Sequence, residues 1–430
     1  MKVCVFGLWH LGCVTAACVA EAGHEVAALD TDGGIVNRLR EGVPPLFEPG
    51  LAELLMQGQA GGNLTFTTDL SAVAGADVVW VCHDTPVDED DHADVAHVVD
   101  QVRTTFPYLR DGTVVLVSAQ LPVGTIAMME RALREEASSR TVDFACSPEN
   151  LRLGRALDIF RNPGRIVVGV RDQRARDVLE PLLGGFCDTL IWTSIESTEM
   201  TKHALNAFLA VSVTFTNEIA AICEQVGADA AEVEKALRSD PRVGPNAYVR
   251  PGPAFGGGTL ARDIQILSQI AQRVQVEAPL IASVIPSNRA HRQWAIKQLR
   301  RRLRPLKGCR IAVLGLAYKP GTDAIRRSAS IELLGELVEE GAEVSAFDPA
   351  VRQLPPRFEN KVRLAPDVAS ALSGAACVVI ATEWPEFRAL APAALSGVAD
   401  GCLVLDPSRH LDPAVAKDEH LTVISIGTAQ

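Results

Sequence analysis

A chain of 430 residues exceeds what one hydrophobic core serves and implies two or three domains, each able to bury apolar surface without disulfides or metals. Its formal net charge of −12 argues against non-specific nucleic-acid binding, and no uninterrupted apolar run reaches the ~18 residues of a membrane span. None of the ten cysteines forms a C-x-x-C pair and the N-terminus MKVCVFGLWHLG enters a strand-like run at once, so buried thiols, no metal and a cytoplasmic protein are expected.

Along the chain, apolar strand-like runs come first: Lys2–Gly7, Glu25–Asp30, Val78–Cys82, Val114–Ser118, Asp143–Cys146 and Arg165–Val170, separated by helical patterns. Such alternation implies βαβ units and a parallel sheet covered by helices on both faces. From about Ser194 to Arg300 the strand signal gives way to helical spacing, as in the stretch Met200–Phe208. Strand-like runs return at Cys309–Gly315, Glu343–Phe347, Cys377–Ala381 and Leu403–Leu405. The expected fold is therefore α/β, with two Rossmann-like doubly wound domains (1–193 and 301–430) joined by a helical central domain (194–300).

In Gly7-Leu8-Trp9-His10-Leu11-Gly12 a strand runs into one glycine and a second glycine opens a helix, while Asp30 ends the next strand. Backbone N–H groups and a helix N-terminus there would face a pyrophosphate, and a carboxylate would accept from ribose hydroxyls. A carboxylate at that place repels a 2′-phosphate, so NAD is expected rather than NADP. Trp9 stands where the fingerprint has its middle glycine, so its side chain must point away or the cofactor must shift. His10 and His83 flank this turn, and neither is expected to act as a base.

Further motifs resemble the UDP-glucose/GDP-mannose dehydrogenase family over the whole chain. Leu46-Phe47-Glu48-Pro49-Gly50-Leu51 is similar to its Y-E-P-G-L segment, Asp84-Thr85-Pro86 to its G-T-P turn, and Leu121-Pro122-Val123-Gly124-Thr125 to V-P-V-G-T. Ser147–Gly154 resembles N-P-E-F-L-R-E-G, Lys202…Asn206 resembles K-x-x-x-N, and Gly315–Asp323 with Arg326-Arg327-Ser328 resembles the F-K-P-x-T-D…R-x-S region. The resemblance implies an NAD-binding Rossmann domain, a helical domain that forms a homodimer, and a C-terminal domain for a UDP- or GDP-linked sugar. It implies two successive oxidations of a C6 alcohol, the second through a cysteine. It places Thr85, Gln120 and Arg326 toward the cofactor and Leu151, Phe255, Gly256, Gly257 and Lys319 toward the substrate.

The segment Phe255–Asp263, FGGGTLARD, resembles the family's F-G-G-S-C-F-P-K-D and puts Thr259 where the cysteine stands. A threonine hydroxyl is a poor nucleophile without a strong base, whereas a thiol ionises near pH 8.5. Gln120 likewise replaces a threonine that the family associates with hydrolysis. Lys202, Asn206 and Asp263, with Glu149, remain as the set that polarises an alcohol. The expectation is a single two-electron oxidation giving a ketone, for which a GDP-octose of antibiotic biosynthesis is the family-level example. Rival readings are a four-electron dehydrogenase making a uronate, an inactive nucleotide-sugar binder, and an epimerase that retains NAD.

Each residue also has a purely structural reading. Lys202 on an amphipathic helix would by itself be a solvated charge, Asp263 a cap for a helix beginning near Ile264, Thr259 a pocket-lining hydroxyl, and Glu149 a partner of Arg152.

Overall fold

The computed structural model describes the chain except for residues 87–92, 138–139, 149–150, 391–394, 396–397, 399–400 and 429–430. It divides into two compact units, Met1–Ala204 and Leu205–Gln430.

The first unit is built on strands β1 (Lys2–Phe6), β2 (Glu25–Leu29), β3 (Leu64–Thr67), β4 (Val78–Val81), β5 (Val114–Val117), β6 (Asp143–Cys146), β7 (Ile166–Val170) and β8 (Leu190–Thr193). Their order is β3-β2-β1-β4-β5-β6-β7-β8, parallel except for the β6–β7 pair. Central strands read as continuous apolar runs because both faces are covered: Val3 and Val5 enter one core, Cys4 and Phe6 the other. Strand order reverses between β1 and β4, the place where open α/β sheets bind ligands beyond their carboxyl ends.

The second unit carries β9 (Arg310–Leu314), β10 (Glu343–Phe347), β11 (Val362–Leu364), β12 (Cys377–Ile380), β13 (Cys402–Leu405) and β14 (Leu421–Ile424). Their order, β11-β10-β9-β12-β13-β14, repeats that of the first six strands. Helices Ala230–Ser239, Thr259–Arg273, Pro279–Arg292 and Trp294–Arg302 precede this sheet. Trp294, Ile296 and Leu299 share its core, together with Ala220 and Cys223.

Helix Ile195–Val226 runs through the boundary of the two units. By length and composition it is able to cross a membrane, although no uninterrupted apolar run announced it. Its middle is apolar between Lys202 and Glu218 but holds buried Asn206, Thr214, Thr216 and Asn217. Those groups mark one face of the helix as packed inside the protein, where Thr214 and Thr216 bond back to the carbonyls of Ala210 and Ser212.

Candidate active site

The turn after β1 needs both of its glycines. Gly7 sits at φ +95°, and a Cβ there would lie 2.8 Å from the His83 ring; a Cβ on Gly12 would lie 1.7 Å from the Gly7 carbonyl oxygen. Side chains at either position would push helix His10–Glu21 off the strand. Trp9 is the N-cap of that helix and is 38% exposed. Its indole is thus partly open to solvent. His10 opens the helix, and Leu11 is buried beneath it.

Asp30 is 8% exposed. One of its oxygens accepts the Leu8 N–H at 2.7 Å and the other the Asp32 N–H at 2.9 Å. Each carboxylate oxygen has a second lone pair, so acceptor capacity remains for ribose hydroxyls. The second sheet shows the opposite condition at the equivalent place. Gly315 has φ +98°, and Asp348 follows β10 as Asp30 follows β2, but Asp348 accepts from Leu316, Ala317, Ala350 and Val351 N–H and from the Trp384 indole. Those backbone donors outweigh burial and hold its carboxyl below the usual range. Five donors leave it nothing to offer a ligand. The residues of the first frame therefore fit a dinucleotide, and those of the second do not fit one in the same way.

Beyond β4, the Thr85 hydroxyl donates to the Gln120 carbonyl at 3.0 Å, which ties together two turns assigned to the cofactor. Burial drives the His83 imidazole down to about 4. It is neutral at physiological pH and too weak a base for the reaction.

On the long helix, Lys202 and Asn206 stand one turn apart on one face. Lys202 lines a small enclosed cavity with Gln120, Cys146 and Glu199. Glu199 is buried and accepts from the Gly124 and Ile126 N–H groups at 2.7 and 3.1 Å, and burial raises its pKa. The His203 ring nitrogen meets the Leu121 carbonyl at 3.0 Å. These contacts fix the helix to the segment that carries Gln120. The Cys146 thiol in the same cavity is pushed well above its ordinary pKa by burial and, secondarily, by Glu199.

In the second unit, the Asn206 amide donates a short hydrogen bond to Asp263, which is 0% exposed. Asp263 does not cap a helix. Helix Thr259–Arg273 starts four residues earlier with Gly258 as its N-cap, so Asp263 lies inside the helix and faces Asn206. Thr259 opens the same helix and is exposed. The loop before it is held by Asn288, whose side chain accepts from the Phe255 N–H and donates to its carbonyl, both at 3.0 Å. Arg292 adds a bond to that carbonyl at 3.1 Å and pairs with Glu332.

Gly257 sits at φ +70°, where any L side chain is strained, and a Cβ there would lie 3.2 Å from the Tyr318 ring; one on Gly256 would make ordinary contact, 3.4 Å from the Arg327 carbonyl. The loop thus packs against the segment that holds Lys319, whose ammonium lies 5.5 Å over the Tyr318 ring. Arg326 is exposed in that segment. In the first unit, Leu151 lines an apolar cavity with Leu11, Trp80 and Phe160. Glu149, and with it the pairing to Arg152, lies outside the described residues.

Sequence reasoning passed over Glu48, Glu199 and Asn288. Glu199 had a signal, the E-x-x-K spacing that sets it and Lys202 on one helix face; Glu48 stood in the quoted E-P-G-L segment, but its contacts, like those of Asn288, are with backbone distant in sequence, so spacing gave neither a role.

Three family models match the chain in order. The NAD binding domain of the UDP-glucose/GDP-mannose dehydrogenase family covers residues 1–186, its central domain 196–290 and its UDP binding domain 312–413. The chain is 36% identical over 398 residues to a UDP-glucose 6-dehydrogenase of Rhizobium meliloti (strain 1021), covering 91% of each. It is 33% identical over 421 residues to UDP-glucose 6-dehydrogenase YwqF of Bacillus subtilis (strain 168), covering 97% of this chain and 96% of that one. The structure of a UDP-glucose dehydrogenase from the hyperthermophilic archaeon Pyrobaculum islandicum superposes with a TM-score of 0.86 at 30% identity, over 100% of this chain and 98% of that one. With a dinucleotide turn that keeps Gly7 and Gly12, an Asp30 with acceptor capacity left and matches along its whole length, the chain belongs to the UDP-glucose/GDP-mannose dehydrogenase family and is an NAD-dependent nucleotide-sugar dehydrogenase.

Proposed function

We propose that this enzyme removes one hydride from the C6 hydroxyl of a nucleotide-activated sugar and stops at the carbonyl. The observation that carries the reading is Thr259 at the start of helix Thr259–Arg273, where the family resemblance puts the thiol that captures an aldehyde. A threonine hydroxyl is a far poorer nucleophile than a thiol, which ionises near pH 8.5. Cys146 does not substitute for it, because burial keeps that thiol protonated.

NAD, when bound, supplies the hydride acceptor. Asp263 is fully buried, so it takes the hydroxyl proton through a water. Asn206 presents Asp263 with one amide hydrogen and keeps the other for the substrate oxygen. The Lys202 ammonium, one helical turn away, steadies the negative charge that grows on that oxygen. Lys319, Phe255, Gly256, Gly257 and Leu151 serve the sugar nucleotide; Thr85, Gln120 and Arg326 serve the cofactor side.

A secondary alcohol suits this chemistry, since a ketone needs no capture. We therefore place the substrate among sugars whose chain continues past C6, of which a GDP-octose is the type. The names of the relatives favour a second reading, four-electron conversion of a UDP-hexose to a uronate. Product mass spectrometry with NAD and a panel of UDP- and GDP-linked hexoses and longer sugars decides between them. We expect a loss of about two mass units and one NADH per sugar; a gain of about fourteen with two NADH would establish the uronate reading.

The enzyme is placed in the cytoplasm as a homodimer. On helix Ile195–Val226, Phe208, Phe215 and Ile222 recur every seventh residue and are all exposed, with Val226 continuing the line. A seven-residue apolar repeat is a helix–helix seam, and two copies of this one bury each other's stripe. Phe215→Glu should shift the protein from dimer to monomer in light scattering at micromolar concentration; an unchanged dimer would remove the seam.

A further inference from the structure

We infer that the buried carboxylate of Glu48 is a positioning residue that couples the cofactor turn to the substrate loop, so that each ligand is bound more tightly in the presence of the other. Glu48 is 3% exposed, and its position in the loop before helix Leu51–Ala60 gives it no partner of its own neighbourhood. All three donors come from afar. The His10 ring nitrogen lies 2.9 Å from one oxygen, which also accepts the Gly154 N–H at 2.8 Å; the other oxygen accepts the Ala156 N–H at 2.9 Å. One side chain therefore joins the first residue of the dinucleotide helix to the end of the Leu151–Gly154 loop.

The arrangement is costly as a mere fastening. A carboxylate taken out of water is stabilised only when it is fully hydrogen-bonded, and an apolar side chain would hold a loop at less expense. Its geometry gives it a different use. The same Glu48 oxygen receives both His10 and Gly154, so a displacement of either donor alters the bond made by the other. Fixing the helix N-terminus with a pyrophosphate thereby fixes the Gly154 backbone, and ordering the loop with a sugar nucleotide returns the effect to His10. Linkage requires that the two effects be equal in size. Helix Ala156–Arg161 starts at the third donor, so the same carboxylate also sets where that helix begins.

This inference rests on the nucleotide-sugar reading of the Leu151–Gly154 loop. Its test is a fluorescence titration of NADH into the full-length enzyme, with and without saturating UDP-glucose or GDP-mannose, for wild type, His10→Ala and Glu48→Gln. In wild type, the sugar should tighten NADH binding by about fivefold or more. His10→Ala removes one donor and leaves the loop anchored, so whatever its own affinity for NADH, the tightening by the sugar should fall to about onefold. Glu48→Gln turns an amide N–H against backbone N–H groups, and should raise KM for both substrates more than it lowers kcat. A structural role alone would instead lower the thermal midpoint and the active fraction and leave both KM values as in wild type. Wild-type enzyme that binds both ligands without tightening, or His10→Ala that keeps it, overturns the coupling only. Wild type that binds NADH but neither sugar overturns the reading of the Leu151–Gly154 loop as a holder of the part that all nucleotide sugars share, and the coupling with it.

Discussion

Replacing Lys202 with methionine should lower kcat for NADH formation by about 10³-fold while NADH still binds, because an ammonium aimed at a growing oxyanion is of the order of 10² to 10³ in rate for each donor. Asp263→Asn should cost about 10²- to 10⁴-fold, the range of a positioned general base. The two variants differ in a second respect. Lys202 borders a small cavity, and methionine fills its stem volume. Asp263 is wholly buried against the Asn206 amide, so an asparagine there sets amide against amide until one of them turns over, and should also cost about 1–3 kcal/mol of stability. Rates are therefore compared per folded site. The double variant should be little slower than the worse single one, as expected of groups that act as a unit. Losses below tenfold in both single variants would take the alcohol-activating role from this pair.

Thr259→Cys should give the enzyme a covalent intermediate that wild type lacks. The new thiol would stand at the first residue of helix Thr259–Arg273, where the positive end of the helix lowers a thiol pKa. With UDP-glucose and NAD, the C6 aldehyde left by the first oxidation accepts the cysteine sulfur. Loss of a second hydride to another NAD turns that adduct into a thioester, and water is required to release it. Gln120 stands where the family carries a threonine tied to that release, so the single variant should stall with sugar attached. Intact-protein mass spectrometry should show the adduct on Thr259→Cys and none on wild type, and adding Gln120→Thr should let water clear it, so that uronate and two NADH per sugar accumulate over repeated turnovers. An adduct on wild-type protein, or NADH from the variant with no adduct, would defeat this account of residue 259.

What the sequence declared and what it concealed follow from burial. Strands β1, β4, β5, β6, β9, β12 and β13 lie inside their sheets, covered on both faces, and read as apolar runs. The strands that went unread, β3, β8, β11 and β14, are the outer strands of the two sheets. Few of their residues are fully buried: Leu64–Thr67 alternates between buried and more open positions, and Val362–Leu364 between half-buried and exposed, so no run forms. Gly7, Gly12 and Asp30 were legible because the dinucleotide turn is local. The structural alternative for Asp263, a cap of a helix beginning near Ile264, fails because the helix starts earlier, at Thr259, with Gly258 as its N-cap. The roles of Glu48 and Asn288 rest on contacts with backbone far along the chain, as between Glu48 and Gly154, and such pairings leave no trace in spacing.

The saturated carboxylate of Asp348 limits how the protein can evolve. Its two sheets share a strand order, but one leaves its acid open toward a guest and the other makes it the keystone of its own turn. Damage to the first has no understudy in the second. Prying Asp348 loose to recruit a dinucleotide there would strip hydrogen bonds from the β9 turn and from the Trp384 indole together, and the fold would loosen before any new affinity appeared.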